Sequence, residues 1–356
     1  MSAFYLSAMS KASKIKTFDP NTPGDPAAQI YGLPFTCEEA DIVLVPVPWE
    51  VTTSYGGGTS RGPAAIRAAS FQVDLFHPEF PDLWKRGVAM DAIPEALLEQ
   101  SDELKKRARL VMDDLVGGLP EKKHGKALAA RELINAECAV MNAWVRKRCQ
   151  YWMDRGKLVG LVGGDHSTPL GFLRAQGRAH RKFGILHIDA HMDLRIAYEG
   201  FDFSHASILY NALSVRQVER IVSVGIRDFC EQENAVFTKL RDRMRVVRSA
   251  DLRALQYEGM PWKEQCAAII AALPQKVHIS FDIDGLDPTL CPHTGTPVPG
   301  GLQYEEATYL LSQVAKQRTI IGFDLVEVAP GGDEWDANVG ARLLWHLCGV
   351  LANSKP

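Results

Sequence analysis

Three clusters of ionisable residues stand where apolar runs of the chain end. Asp189, His191 and Asp193 close "ILHIDAHMD", Asp282 and Asp284 close "VHISFDID", and His166 follows "LVGLVGGD". Unpaired charge is costly to bury, so such residues at the ends of buried segments require a partner. Carboxylate oxygens with imidazole nitrogens, and no thiolate, suit Mn²⁺, Ni²⁺, Co²⁺ or Zn²⁺. Four carboxylates and two imidazoles exceed what one catalytic ion needs. Two ions about 3.5–4 Å apart would use all six and could hold a bridging hydroxide as nucleophile near neutral pH. The expected metal ligands are therefore His166, Asp189, His191, Asp193, Asp282 and Asp284, for two divalent ions per subunit. Glu327 ends a further apolar run. His187, His278 and His346 read as core or supporting histidines. "GGGT" from Gly56 lacks a following Lys-Ser/Thr, so it reads as a turn near the site mouth rather than a phosphate loop.

Something must bring these clusters together. Short β-branched runs begin at Asp41, Leu158, Phe183, Arg220, Met244, Lys276 and Thr319. Continuous apolar runs of this length suit strands covered on both faces. Helical patterns separate them, so the chain predicts an α/β fold of three layers, a mostly parallel central sheet with helices on both faces. In open parallel sheets, sites form at the carboxyl ends of strands. Every cluster above falls on that edge. The expected organisation is an N-terminal extension over residues 1–40 and one domain over 41–356, with residues 81–124 a polar surface excursion.

Composition narrows the function classes. The 356 residues are 46% apolar, which suits a sizeable core. A net charge of −3 and a pI near 6.4 argue against general affinity for nucleic acid or anionic membrane. No run approaches the roughly 20 apolar residues of a membrane helix, and "MSAFYLSAMSKASK" is too weakly hydrophobic for a secretory signal. Seven scattered cysteines without a CxxC pair fit reduced thiols in a cytoplasmic protein.

The motifs "GGDHS", "DAHMD", "SFDIDGLDP" and "GFDLVEVAP", with "HTGTPVPGGL" and "RGPAAIRAAS", resemble the signatures of the ureohydrolase (arginase/agmatinase) superfamily. The resemblance runs from about Asp41 to the C-terminus. It implies an arginase-like fold in which His166, Asp189, Asp193 and Asp282 bind one metal, and Asp189, His191, Asp282 and Asp284 the other. It also implies that Asp193 orients the hydroxide, Glu327 pairs with a small guanidinium substrate, and His205 in "FSHAS" carries protons at the entrance. The reaction implied is hydrolysis of a guanidinium C–N bond, releasing urea.

The loop "LRIAYEGFDFSHAS" has no Asn, and Phe203 stands where arginases carry one, which argues against L-arginine. "DLRIAYEGFDFSHAS" and "DEWDANVGARLLW" resemble the guanidine hydrolase (guanidinase) branch, which uses nickel. If Phe203, Tyr198, Trp49 and Trp335 fill the tail channel, only a small cation fits. The first expectation is thus free guanidine, with Phe203 and Trp335 among the substrate-binding residues. The alternative is an agmatinase or guanidinobutyrase acting on a guanidinoalkane. A metal-dependent deacetylase is the rival class, but it would need neither His166 nor Asp284. The resemblance also implies a homotrimer or homohexamer. Ni²⁺ or Mn²⁺ is the expected metal, with a metal-loading chaperone as a candidate partner.

Overall fold

The computed structural model describes residues 9–117, 120 and 123–355. Residues 1–8 of the expected extension, and 118, 119, 121 and 122 of the expected excursion, lie outside them. Among the described residues, eight strands form one sheet. They are β1 (Ile42–Val47), β2 (Val88–Met90), β3 (Leu158–Gly163), β4 (Phe183–Ile188), β5 (Val218–Ile226), β6 (Met244–Arg248), β7 (Lys276–Asp282) and β8 (Thr319–Val326). Their order is β2-β1-β3-β8-β7-β4-β5-β6, and every pairing is parallel. The expected sheet is therefore present and is wholly, not mostly, parallel.

Strand alternation builds the three layers. In β1, Ile42 and Leu44 enter the cluster packed under the helices Gly62–Ala69, Tyr304–Ala315 and Trp335–Asn353, while Val43, Val45 and Val47 face the helices Glu95–Leu115 and His124–Met153. The last helix is buried along most of its length, including Leu343, Leu344, Leu347 and Leu351, which fits its continuous apolar sequence.

The 81–124 segment carries more structure than a surface excursion. It supplies edge strand β2, too short to show a pattern, and the helix Glu95–Leu115. Ser101, Leu104, Ala108 and Val111 of that helix are buried at helical spacing, while most of its charges face outward and Lys105 turns inward to pair with the buried Glu50. Upstream, Ile30, Leu33 and Phe35 are fully buried, and the Tyr31 hydroxyl donates to the Ala341 carbonyl at 2.8 Å.

Candidate metal centre and active site

Strands β3, β8, β7 and β4 are neighbours at the centre of the sheet, so their carboxyl ends deliver the polar clusters to one place. The turn after β3 leaves no room for a side chain. A Cβ on Gly164 would lie 2.1 Å from the Trp49 carbonyl oxygen. The tight turn swings His166 over the sheet edge. There its Nδ1 lies 3.0 Å from Asp189 Oδ2, 3.1 Å from Asp282 Oδ2 and 3.3 Å from Asp193 Oδ2. The His191 Nδ1 lies 3.1 Å from Asp284 Oδ2 and 3.4 Å from Asp189 Oδ1. Asp189 thus stands between the two imidazoles.

Backbone amides also donate to the cradle's carboxylate oxygens. Asp282 Oδ1 accepts from the Asp284 N–H at 2.9 Å, Asp284 Oδ1 from Ala190 at 3.0 Å, and Asp189 Oδ1 from His191 at 2.6 Å. Asp193 and Glu327 both sit in the left-handed backbone region, at φ 52° and 61°. Such strain in residues other than glycine collects at functional sites.

These groups fit divalent cations. His166, Asp189, Asp193, Asp282 and Asp284 are each at most 5% exposed. Among the described residues no Lys or Arg pairs with the four carboxylates. The nearby Arg227 guanidinium instead donates to the carbonyls of Gly225, Asp284, Leu286 and Val298. Buried negative charge without a counter-ion is unfavourable, and His166 Nδ1 has no well-aligned hydrogen bond.

The protein groups alone show the same imbalance. Burial raises the Asp282 carboxyl well above its usual range, and Asp284 and Asp189 add to the rise. Burial and the Asp189 charge lift Asp193 to about 6. Burial would lower His166, but the surrounding aspartates outweigh it and raise the imidazole well above its ordinary value.

Glu327 faces the cradle. Its Oε1 accepts the His166 backbone N–H at 2.9 Å, and its Oε2 is buried without a partner. Burial, then Asp282 and Asp165, push its carboxyl well up. His166, His191, Asp193, Asp282 and Glu327 line one cavity. Arg195, Tyr198, His205, Asp228, Phe229 and Cys230 continue its wall. His205 begins a short 3-10 turn, His205–Ser207, and its N–H donates to Thr52 Oγ1 at 3.4 Å. Burial first, then His191 and His166, hold its imidazole down at about 4.

The cavity thus gathers the expected ligands His166, His191, Asp193 and Asp282, together with His205 and Glu327. Asp189 and Asp284 lie directly behind, in contact with the two imidazoles. It does not gather the expected aromatic plug. Trp49 is fully buried in the β1 core. Phe203 packs between the core clusters, with the Arg174 guanidinium 5.8 Å from its ring centre. Trp335 is 46% exposed, and its indole N–H donates to the Thr289 carbonyl at 2.9 Å. Of the four aromatics, Tyr198 alone lines the cavity. Sequence reading passed over Arg195, Asp228 and Cys230. The "RDFCEQE" run leaves the carboxyl end of β5, beside β4, so the strand-end rule could have flagged it.

A parallel α/β sheet with this His/Asp cradle at its central strand ends defines a ureohydrolase, a class of hydrolases acting on C–N bonds of linear amidines. The chain belongs to the arginase family, whose sequence pattern matches residues 40–349. It is 31% identical over 318 residues to the N(1)-aminopropylagmatine ureohydrolase of Thermus thermophilus, spanning 88% of this chain and 91% of that one. It is 31% identical over 322 residues to the agmatinase of Klebsiella pneumoniae, spanning 89% of each. The agmatine ureohydrolase of Thermoplasma volcanium has the same fold, with a TM-score of 0.68 at 22% identity, covering 96% of this chain and 98% of that one.

Proposed function

We propose that the chain hydrolyses the guanidinium C–N bond of a guanidinoalkane such as agmatine, releasing urea and an amine. The observation that carries this reading is Glu327 Oε2, a buried carboxylate oxygen without a partner in a cavity shared with the His/Asp cradle. A guanidinium presents paired N–H donors in one plane, and a carboxylate binds such a fork through charge-assisted bonds.

Two divalent cations, Mn²⁺ or Ni²⁺, held by His166, Asp189, Asp193 and Asp282 and by Asp189, His191, Asp282 and Asp284, would supply Lewis-acid activation of water. The chain's own residues do the rest. Glu327 fixes the guanidinium plane and so orients its carbon toward the cradle. Asp193, which shares the cavity with Glu327, offers a carboxylate oxygen that can take up and pass on a proton beside it. His205, on the cavity wall, can accept and pass a proton through its imidazole.

A tailed substrate is preferred over free guanidine for two reasons. The cavity wall continues past Glu327 to Tyr198, Asp228 and Phe229, and Trp49, Phe203 and Trp335 lie elsewhere. The relatives at 31% identity are named for agmatine and aminopropylagmatine. Free guanidine is the second reading, supported by the "DLRIAYEGFDFSHAS" resemblance. Urea release by protein loaded with Mn²⁺ or Ni²⁺, offered agmatine, aminopropylagmatine, 4-guanidinobutyrate, guanidine and arginine, tests both. Turnover of guanidine alone would overturn the tailed reading, and no urea from any of them would overturn the class of substrate.

A further inference from the structure

One rung of the sheet below the cradle is polar across four strands. Asp324 on β8 is in register with Ser280 on β7, Ser280 with His187 on β4, and His187 with Ser223 on β5. All four are at most 1% exposed. Polar side chains at this depth must be satisfied by one another, and the bonds they make have a direction.

An ionised Asp324 only accepts. The Ser280 hydroxyl lies 2.8 Å from its Oδ1, and His278 Nε2 lies 2.7 Å from its Oδ2. Both therefore donate to it. The single Ser280 proton is then committed. His166 Nε2, 2.9 Å from Ser280 Oγ, can bond only by donating. An imidazole that donates through Nε2 leaves Nδ1 as a lone pair, and Nδ1 is the atom facing Asp189, Asp193 and Asp282. On the other half of the rung, His187 Nε2 lies 2.8 Å from Asp189 Oδ2 and His187 Nδ1 lies 3.1 Å from Ser223 Oγ. That contact fixes the carboxylate shared by both imidazoles.

We infer that Asp324, acting through Ser280, is a positioning residue that holds His166 in the tautomer whose Nδ1 is free to ligate metal. This rests on the metal-centre reading above but not on the identity of the substrate. His278 completes the relay by holding the second Asp324 oxygen, and its ring packs edge-on against Phe172 with centroids 5.1 Å apart. Partners hydrogen-bonded to a metal ligand, as Ser280 is to His166, typically change metal affinity by about 10–100-fold.

Asp324→Asn tests the direction of the relay at constant volume. With the amide oxygen kept as the acceptor of the His278 Nε2–H, the new amide turns its Nδ2 donor to Ser280, Ser280 then donates to His166 Nε2, and the opposite tautomer is favoured. Ser280→Ala removes the relay outright, while Ser280→Thr keeps the hydroxyl. The measurement is Mn²⁺ and Co²⁺ affinity of the full chain by chelator competition, with the Co²⁺ visible spectrum as a second readout and circular dichroism to verify folding. The expected result is about 10–100-fold weaker binding of one ion in Asp324→Asn and in Ser280→Ala, with near wild-type affinity in Ser280→Thr. Wild-type affinity and an unchanged Co²⁺ spectrum in either folded variant would overturn the inference, as would wild-type protein that takes up no ion. Urea release by wild type separates the two readings. If the affinities differ as expected but no urea forms from any guanidino compound, the proposed reaction fails and the relay stands.

Discussion

His166 donates its backbone N–H to Glu327 Oε1 at 2.9 Å while its imidazole reaches into the aspartate cradle. One residue thus fixes the distance between the proposed metal centre and the proposed guanidinium acceptor. The bond uses one oxygen of Glu327 and leaves the other for the substrate. The Glu327 N–H in turn donates to the Gly164 carbonyl at 2.8 Å, and its carbonyl accepts from Thr294 Oγ1 at 2.8 Å. These bonds hold the left-handed backbone that aims the side chain.

Glu327→Gln should therefore separate binding of metal from binding of substrate. The amide keeps the shape and can still accept the His166 N–H, but the guanidinium loses its ionic partner. Removing the charge from such a pair costs about 2–5 kcal/mol, so kcat/KM should fall by roughly 30-fold or more while metal content stays at the wild-type level. Steady-state urea release with metal analysis on the same samples checks it. Unchanged kcat/KM would remove Glu327 from the reaction.

The crowded carboxylates make a prediction with an unusual sign. In chelator-treated protein the Asp282 carboxyl is raised by burial and by Asp284 and Asp189. The folded state then binds its proton more tightly than the unfolded chain does. That stabilising contribution is present at low pH and is lost as pH rises above the ordinary carboxylate range. Asp282→Asn should thus be more stable than wild type in chelator at neutral pH. Added metal should reverse the order, because only wild type gains its binding energy. Thermal melts in chelator and in Mn²⁺ check both halves.

Much of this is legible in the sequence. The three clusters share one sheet edge because each follows a strand and parallel strands end together. What escaped has physical reasons. "VHISFDID" reads as a continuous run, yet it alternates: Val277, Ile279, Phe281 and Ile283 face one core cluster, while His278, Ser280 and Asp282 face the other side. Those polar residues are buried because they bond across neighbouring strands, and a single strand's sequence does not reveal its neighbours. Strand β2 has three residues and no period. The helix Glu95–Leu115 looked like surface because its charges outnumber its buried positions, although Leu104, Ala108 and Val111 lie on one face. Three of the four aromatics lie off the cavity lining, because bulk near a site in sequence does not fix which way a ring points. Trp49 turns into the core, and Trp335 turns toward Thr289.

Gly164→Ala should disable the site through its frame. The added Cβ would sit 2.1 Å from the Trp49 carbonyl oxygen and 2.9 Å from the Trp49 N. Both are backbone atoms of a buried segment and cannot rotate away. The turn before His166 must move instead, and with it the bonds to Glu327 and Asp189. Overpacking of this kind costs about 1–3 kcal/mol or more. Metal affinity and urea release should fall together, unlike in Glu327→Gln. A variant with wild-type melting and full metal content would show that the turn tolerates the methyl group.

The segment between residues 81 and 124 is secured by a charge that titrates. Asp91, just past β2, binds the Arg148 guanidinium through both oxygens, and its Oδ2 also accepts the Trp152 indole N–H at 3.0 Å. Burial would raise this carboxyl, but Arg148 and Trp152 outweigh it and hold it below the ordinary value. A depressed folded pKa contributes stability above the unfolded pKa, about 3.9, and that stability is lost as pH falls through the folded value. Hydrogen bonds to a charged group contribute about 1.5–3 kcal/mol, so Asp91→Asn should be destabilised by roughly that amount at pH 7. The gap from wild type should close below about pH 4 as the wild-type carboxyl becomes protonated. Denaturant melts across that range measure it. Because Asp91 lies outside the cavity, kcat at pH 7 should stay at the wild-type level. A pH-independent gap would mean that shape rather than charge joins β2 to the helix His124–Met153.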